Sequence, residues 1–175
     1  MSRENPKYRN IFLVGFMGAG KTTVGRILAQ KLGYIYIDAD MLIEERAGRT
    51  ITEIFSEKGE EYFRDLETET LKSLSDKEKQ VIATGGGAVM SEENRNLMES
   101  GGVTVYLKAP AHVIWDRVKD SKSRPLLQVE DPFGTIEKLL EKRIPAYERA
   151  DLTVDTESLS AEEVASEIIG KLDIH

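Results

Sequence analysis

The sequence predicts a three-layer α/β/α domain built on a five-stranded parallel sheet. Two observations carry that prediction. Short apolar runs alternate with amphipathic, helix-like runs along the whole chain, and glycines, prolines or acids punctuate the junctions between them. In a sheet of this kind ligands sit at the carboxyl ends of the strands.

Taken in order, "NIFLVG" (10–15) reads as a buried strand. "TTVGRILAQKLG" reads as a helix with Val24, Ile27, Leu28 and Leu32 on one face and Gly33 as its stop. "YIYIDAD" is a second strand that ends in acid. From Met41 to Leu74 the pattern is helical, broken near Gly48 and Gly59. "VIATGGG" is a third strand that runs into glycines, and "SEENRNLMES" a helix opened by Ser91 with Asn94 and stopped at Gly101. "VTVYLK" is the fourth strand, followed by the helix "PAHVIWDRVKD", opened by Pro110. "SKSRPLLQVEDPFG" mixes charge, proline and glycine and reads as a loop. "TIEKLLEKRIPAYERA" is helical with Pro145 a kink or break, and "LTVDT" is the fifth strand. "SAEEVASEIIGKL" closes the chain with a capping box of Ser160 and Glu163.

At 175 residues, 40% hydrophobic and 31% charged, the chain is expected to be a single domain spanning 1–175. No apolar run approaches the roughly 20 residues that cross a bilayer, and "MSRENPKYRN" has no signal-peptide stretch. The absence of cysteine excludes disulfides, zinc thiolates and thiol nucleophiles, and fits a reducing, cytoplasmic setting. A net charge of −7 argues against nonspecific nucleic-acid or membrane binding, so any anionic ligand must meet a local basic pocket. His112 and His175 are the only histidines, and neither belongs to a triad-like arrangement.

Gly15-Phe16-Met17-Gly18-Ala19-Gly20-Lys21-Thr22 fits G-x-x-x-x-G-K-[ST] at every required position, between a strand and a helix. Its glycines let consecutive N–H groups point inward at an anion, and the helix that follows adds free amides. Gly18, Ala19, Gly20, Lys21, Thr22 and Thr23 are the expected ATP contacts, with Lys21 reaching the β and γ phosphates and the Thr22 hydroxyl on Mg²⁺. A glycine-rich turn with an exposed lysine is the alternative, and its strand-to-helix context counts against it.

A magnesium acid normally ends a neighbouring strand. Of the strands before the last, only "YIYI" delivers carboxylates there, Asp38 and Asp40, so Asp38 is the expected metal acid, directly or through water. Asp40 shares its side of an extended segment and is free to face a substrate hydroxyl; it can also N-cap a helix starting at Met41. No guanine-specifying N-K-x-D is present. Arg64, Arg124 and Arg143 recur where loops or helices break, and guanidinium forks suit carboxylate and phosphate oxygens. Spacing alone does not bring them together.

With these features the chain resembles the shikimate kinases, in the nucleoside-monophosphate-kinase-like branch of P-loop NTPases. The likeness runs over about residues 10–170, through "GFMGAGKTTVGR", "DADMLIEERAGRTITEIFSEKGEEYFRDLE", "GGG", "RPLL" and "RIPAYERAD". It implies transfer of the γ-phosphoryl of ATP to the 3-hydroxyl of shikimate, a step toward chorismate and the aromatic amino acids, in a monomer. By resemblance Asp38 helps hold Mg²⁺, Asp40 bonds the shikimate hydroxyls, and Arg64 and Arg143 clamp the carboxylate, with Glu67 steadying Arg64. The amides of Gly85, Gly86 and Gly87 approach the ring, Arg124 rides on a mobile lid (119–131) to the transferring phosphoryl, and Arg117 stacks on adenine. Residues 38–67 are then the substrate-binding region. The family's proline beside adenine is missing from "DTESLSAEE". A kinase of another small hydroxy acid, such as gluconate, and a non-catalytic nucleotide-binding homologue are the rival readings.

Overall fold

Strands β1 (Asn10–Val14), β2 (Ile35–Asp38), β3 (Gln80–Ala83), β4 (Val103–Lys108) and β5 (Leu152–Asp155) form one sheet in the order β2-β3-β1-β4-β5. Every pairing is parallel. The computed structural model describes residues 9–121, 124 and 127–174. Eight α-helices lie among them: α1 (Lys21–Leu32), α2 (Ala39–Ala47), α3 (Ile51–Lys58), α4 (Glu60–Ser75), α5 (Glu92–Gly101), α6 (Ala111–Val118), α7 (Pro132–Tyr147) and α8 (Ala161–Leu172).

The two faces of the sheet follow from the period-two alternation along β1. Ile11 and Leu13 face α1 and α8 with Val24, Leu28, Val164 and Ile168, whereas Phe12 and Val14 join a second core with Leu71, Met98, Ile114 and Leu140. Central strands β1 and β3 are buried throughout, which is why they read as unbroken apolar runs. Helices α2, α3 and α4 enclose a smaller cluster of Ile43, Ile54 and Phe63, so the 38–67 segment carries its own packing.

Most predicted boundaries hold. Gly33 ends α1 in the left-handed region at φ 66°, and its N–H reaches the Ala29 and Gln30 carbonyls. Ser160 and Glu163 close both bonds of their capping box, at 3.2 and 2.7 Å. Three expectations are corrected. Asp40 does not lie on an extended segment: it sits in the first turn of α2, and the N-cap is Asp38, whose carboxylate accepts from the Met41 N–H at 3.0 Å. Helix α7 starts at Pro132 rather than Thr135, because a proline tolerates the first helical position and Asp131 caps the Gly134 N–H at 3.1 Å. Pro145 does not break α7: it falls in the last turn, and the Glu148 N–H still closes on the Ile144 carbonyl at 2.9 Å. A second capping box, Thr50 with Glu53, opens α3 and was legible as T-x-x-E.

Candidate active site

Strand order builds the site. Three segments leave the carboxyl ends of adjacent strands β2, β3 and β1: the Asp38–Asp40 turn, the Gly85–Gly87 loop and the phosphate-type loop Gly15–Lys21.

The first loop needs its glycines for two separate reasons. Gly18 and Gly20 hold φ values of 74° and 97°, and a Cβ on Gly18 would come within 2.6 Å of Val118 Cγ1. Helix α1 then starts with no side-chain cap, unlike α2, α3, α5, α7 and α8. Its first amides are left for an incoming anion. Lys21 folds back over the loop, its Nζ donating to the Gly15 carbonyl and, at 3.3 Å, to Phe16 O. Burial pushes the Lys21 ammonium down to about 8. Asp40 opposes that shift, while the charges of Arg124 and Arg143 reinforce it. Three predicted side chains from three parts of the chain therefore converge on the lysine.

The triple glycine gathers the remainder. A Cβ added to Gly85 would lie 2.8 Å from Asp40 Oδ1 and 3.0 Å from Glu67 Oε2. One on Gly86 would lie 3.2 Å from Arg143 Nη1, and one on Gly87 only 2.7 Å from Arg64 Nη2. Side chains at these positions would collide with the groups predicted to bind substrate, so the loop is glycine for close approach rather than flexibility. Arg64 is held by Glu67 at 2.9 Å, as expected, and more weakly by the exposed Glu60 at 3.4 Å.

Two acceptors in this cup, the buried Asp40 Oδ1 and Glu67 Oε2, have no partner among the described residues. Burial raises the pKa of each carboxyl, with Lys21 pulling Asp40 back and Arg64 pulling Glu67 back. Unsatisfied buried oxygens of this kind are costly unless a ligand or water donates to them. The cup thus offers two guanidinium groups for an anion and two carboxylate oxygens for hydroxyl donors.

Arg117 spans the neighbouring loops, donating to Gly18 O at 3.1 Å and to Thr156 O at 3.3 Å. That puts its guanidinium between the phosphate-type loop and the 156–161 segment. Within the expected lid, residues 122, 123, 125 and 126 lie outside the described residues. Arg124 itself is described, and its charge acts on Lys21.

The residues present suit Mg²⁺ as a nucleotide-borne ion. Thr22 lies in the first turn of α1 and Asp38 ends β2, and both bear on the Tyr36 phenol, whose pKa burial raises, Thr22 lowers and Asp38 raises. One hydroxyl and one carboxylate are hard oxygen donors of the right type. Among the described residues no cluster of three or more acidic, histidine or cysteine side chains could hold a metal alone. The remaining ligands would come from phosphate and water, as magnesium prefers.

Sequence reasoning missed the supports behind this cup. The Tyr147 hydroxyl donates to Gly86 O at 2.5 Å, and buried Asn94 donates to Ala88 O at 3.0 Å while accepting from Thr68 at 2.7 Å. The signal for Tyr147 was its position one helical turn after Arg143. Asn94 was read only through its backbone, as the capping partner of Ser91.

Comparison with known proteins places the chain among relatives of the same length. A sequence profile described as shikimate kinase matches residues 17–173. A shikimate kinase from Thermodesulfovibrio yellowstonii is 51% identical over 161 residues, 92% of this chain and 93% of that one. Among solved structures, shikimate kinase from Acinetobacter baumannii in complex with shikimate superposes with a TM-score of 0.91 at 42% identity, over 95% of this chain and 94% of that chain. Shikimate kinase from Aquifex aeolicus gives 0.82 at 45% identity, over 94% and 96%. With a family profile spanning nearly all of it and half-identical relatives along its length, the chain belongs to the shikimate kinase family.

Proposed function

We propose that the protein moves the γ-phosphoryl of ATP to the 3-hydroxyl of shikimate, a reaction on the route to chorismate and the aromatic amino acids. The observation that carries the reading is the cup itself. Two unpartnered carboxylate oxygens and two guanidinium groups meet at Gly85–Gly87, beside an anion-binding loop. A ring carrying one carboxylate and several hydroxyls is complementary to that set.

In this reading Arg64 and Arg143 bind the carboxylate, and Asp40 accepts from the hydroxyl that attacks. The hydroxyl oxygen bonds to the γ-phosphorus as the bond to the β-bridging oxygen breaks, and ADP leaves. The proton departs late, to Asp40, because a loose transition state asks for alignment before deprotonation. Asp40 is thus a positioning group first and a base second. Lys21, the Gly18–Thr23 amides and Arg124 offset the charge on the phosphates. When bound with the nucleotide through Thr22 and Asp38, Mg²⁺ supplies further neutralisation of phosphate oxygens. Arg117 contacts adenine from the edge of the loop. Residues 119–131 act as a lid that excludes water, which would otherwise accept the phosphoryl group. Residues 38–67 form the substrate-binding region of a single domain that works as a cytoplasmic monomer. No helix among the described residues is long and apolar enough to cross a membrane.

ADP release measured with and without shikimate, and with gluconate in its place, tests the assignment. Release that depends on shikimate supports it, and gluconate-dependent release would transfer it to another hydroxy acid. Replacing Arg143 with alanine removes one charged hydrogen-bond donor, so the KM for shikimate should rise roughly ten- to hundredfold with little change for ATP. A weakened ATP affinity with unchanged shikimate KM would move Arg143 to the nucleotide.

Lys21 makes a second expectation quantitative. With its pKa near 8 against an ordinary 10.5, the free enzyme's lysine is largely neutral at pH 9. Polyphosphate beside it favours the charged form, so ATP binding at pH 9 should be accompanied by net proton uptake. Titration calorimetry in buffers of different ionisation heat reads this directly, and zero uptake contradicts it. The same shift acts on folding. Between about 8 and 10.5 the unfolded chain holds the Lys21 proton more tightly, so this residue's contribution to stability rises with pH across that window.

A further inference from the structure

The Gly85–Gly87 loop and the turn that follows it are held from behind at the carbonyls of Gly86, Ala88 and Val89, and the three holders are not equivalent. Asn94 bonds Ala88 O at 3.0 Å and Arg95 bonds Val89 O at 2.5 Å, both from α5, which carries no predicted substrate contact. Tyr147 bonds Gly86 O from α7, the helix that also carries Arg143. Tyr147 is wholly buried, and its ring stacks on Tyr106 with centroids 5.0 Å apart, so the hydroxyl is fixed at both ends.

Arg143 bears on the same hydroxyl. Burial pushes the Tyr147 phenol up to about 12 and Arg143 opposes that shift through charge and a hydrogen bond, so the group stays a protonated donor across the working range. The Arg143 guanidinium meanwhile lies over the buried ring of Phe16 at 5.4 Å and beside Gly86. The Gly86 backbone, the Tyr147 hydroxyl that bonds it and the Arg143 fork, one helical turn before Tyr147, therefore meet at one place.

We infer that the Tyr147 hydroxyl is a positioning group for the organic substrate: it sets the spacing between the Arg143 guanidinium and the Gly86 backbone, and so aligns the substrate's carboxylate with its ring. This rests on the shikimate reading given above. The oxygen touches no substrate in this account. It acts through the two groups that do, and its loss should be felt by one substrate only.

Tyr147→Phe removes the oxygen and keeps the ring. The expected result is a shikimate KM raised about tenfold, with the ATP KM within twofold of the parent enzyme and the melting temperature nearly held. Tyr106→Phe, which strips the neighbouring stacked ring of its hydroxyl, should leave both KM values in place. Combining Tyr147→Phe with Arg143→Ala should cost less than the product of the separate losses, since the spacing matters only while Arg143 is present. Unchanged shikimate KM overturns the inference, as does a parallel rise in both KM values with a lowered melting temperature, which marks plain packing. Should Tyr147→Phe fail to fold, a fluorinated tyrosine at 147 serves instead. Its more acidic phenol should lose shikimate affinity at a lower pH than the parent enzyme, and coincident profiles overturn the proposal. Parent enzyme that releases no ADP with shikimate sinks the functional reading itself, a result none of these variants can produce.

Discussion

Lys21→Ala is expected to lower shikimate-dependent ADP release by at least about 10³-fold. The lysine belongs to the phosphate-type loop itself, and its Nζ spans the Gly15 and Phe16 carbonyls. Burial strips much of its hydration and pushes its pKa down to about 8, so a phosphate oxygen meets a poorly solvated charge in a low-dielectric site. Alanine removes that charge and leaves the two carbonyls facing the incoming anion. Steady-state assays with saturating shikimate and varied ATP read the loss. Lys21→Arg is a useful companion, because it keeps the charge but replaces the compact ammonium with a broader planar guanidinium. Near-normal turnover by Lys21→Ala would remove the assignment of this loop to ATP.

Arg124→Ala is expected to fall almost entirely on kcat, by about 10³- to 10⁵-fold, the range spanned by arginines that enter a phosphoryl-transfer site. The structural reason is convergence. Arg124 lies far along the chain from the loop, yet its charge helps hold down the proton affinity of Lys21. Like charges that act on one another are relieved by a polyanion, so the pair favours the state with the most phosphate charge. KM values for both substrates should move by less than about threefold, because an interaction made mainly in the transition state leaves ground-state binding alone. Rapid-quench measurement of the chemical step separates that loss from slow product release. An unchanged kcat would make Arg124 a surface residue of the 119–131 segment and nothing more.

Much of the fold was readable because local chemistry and tertiary packing agree. Gly33 ends α1, Ser91 opens α5 and the Ser160/Glu163 box opens α8 as their residue types demand. The loop from Gly15 to Thr22 was readable for the same reason, since backbone geometry and motif are one thing there. Boundaries failed where two local rules competed. The sequence offered Asp40 as a helix cap, and only the backbone decided that Asp38 fills that place while Asp40 turns inward with an unpaired oxygen. At Pro132 the proline was taken as loop punctuation, although it also suits the first residue of a helix.

The sequence by itself determined the parts: a parallel sheet between helices, a glycine-rich loop of the phosphate-binding pattern and a pair of acids at the end of the second strand, whereas Arg64 and Arg143, read at helix breaks, lie inside α4 and α7. Only the tertiary structure decided their meeting place. The sheet inserts the third strand between the second and the first, so the Gly85–Gly87 loop comes to lie between the acids and the phosphate-type loop. Helices α4 and α7 then bring Arg64, Glu67 and Arg143 to within contact of those glycines. Sequence patterns report each element's own periodicity and caps, whereas the order of strands is set by which apolar faces bury against one another, a long-range choice that no local window contains.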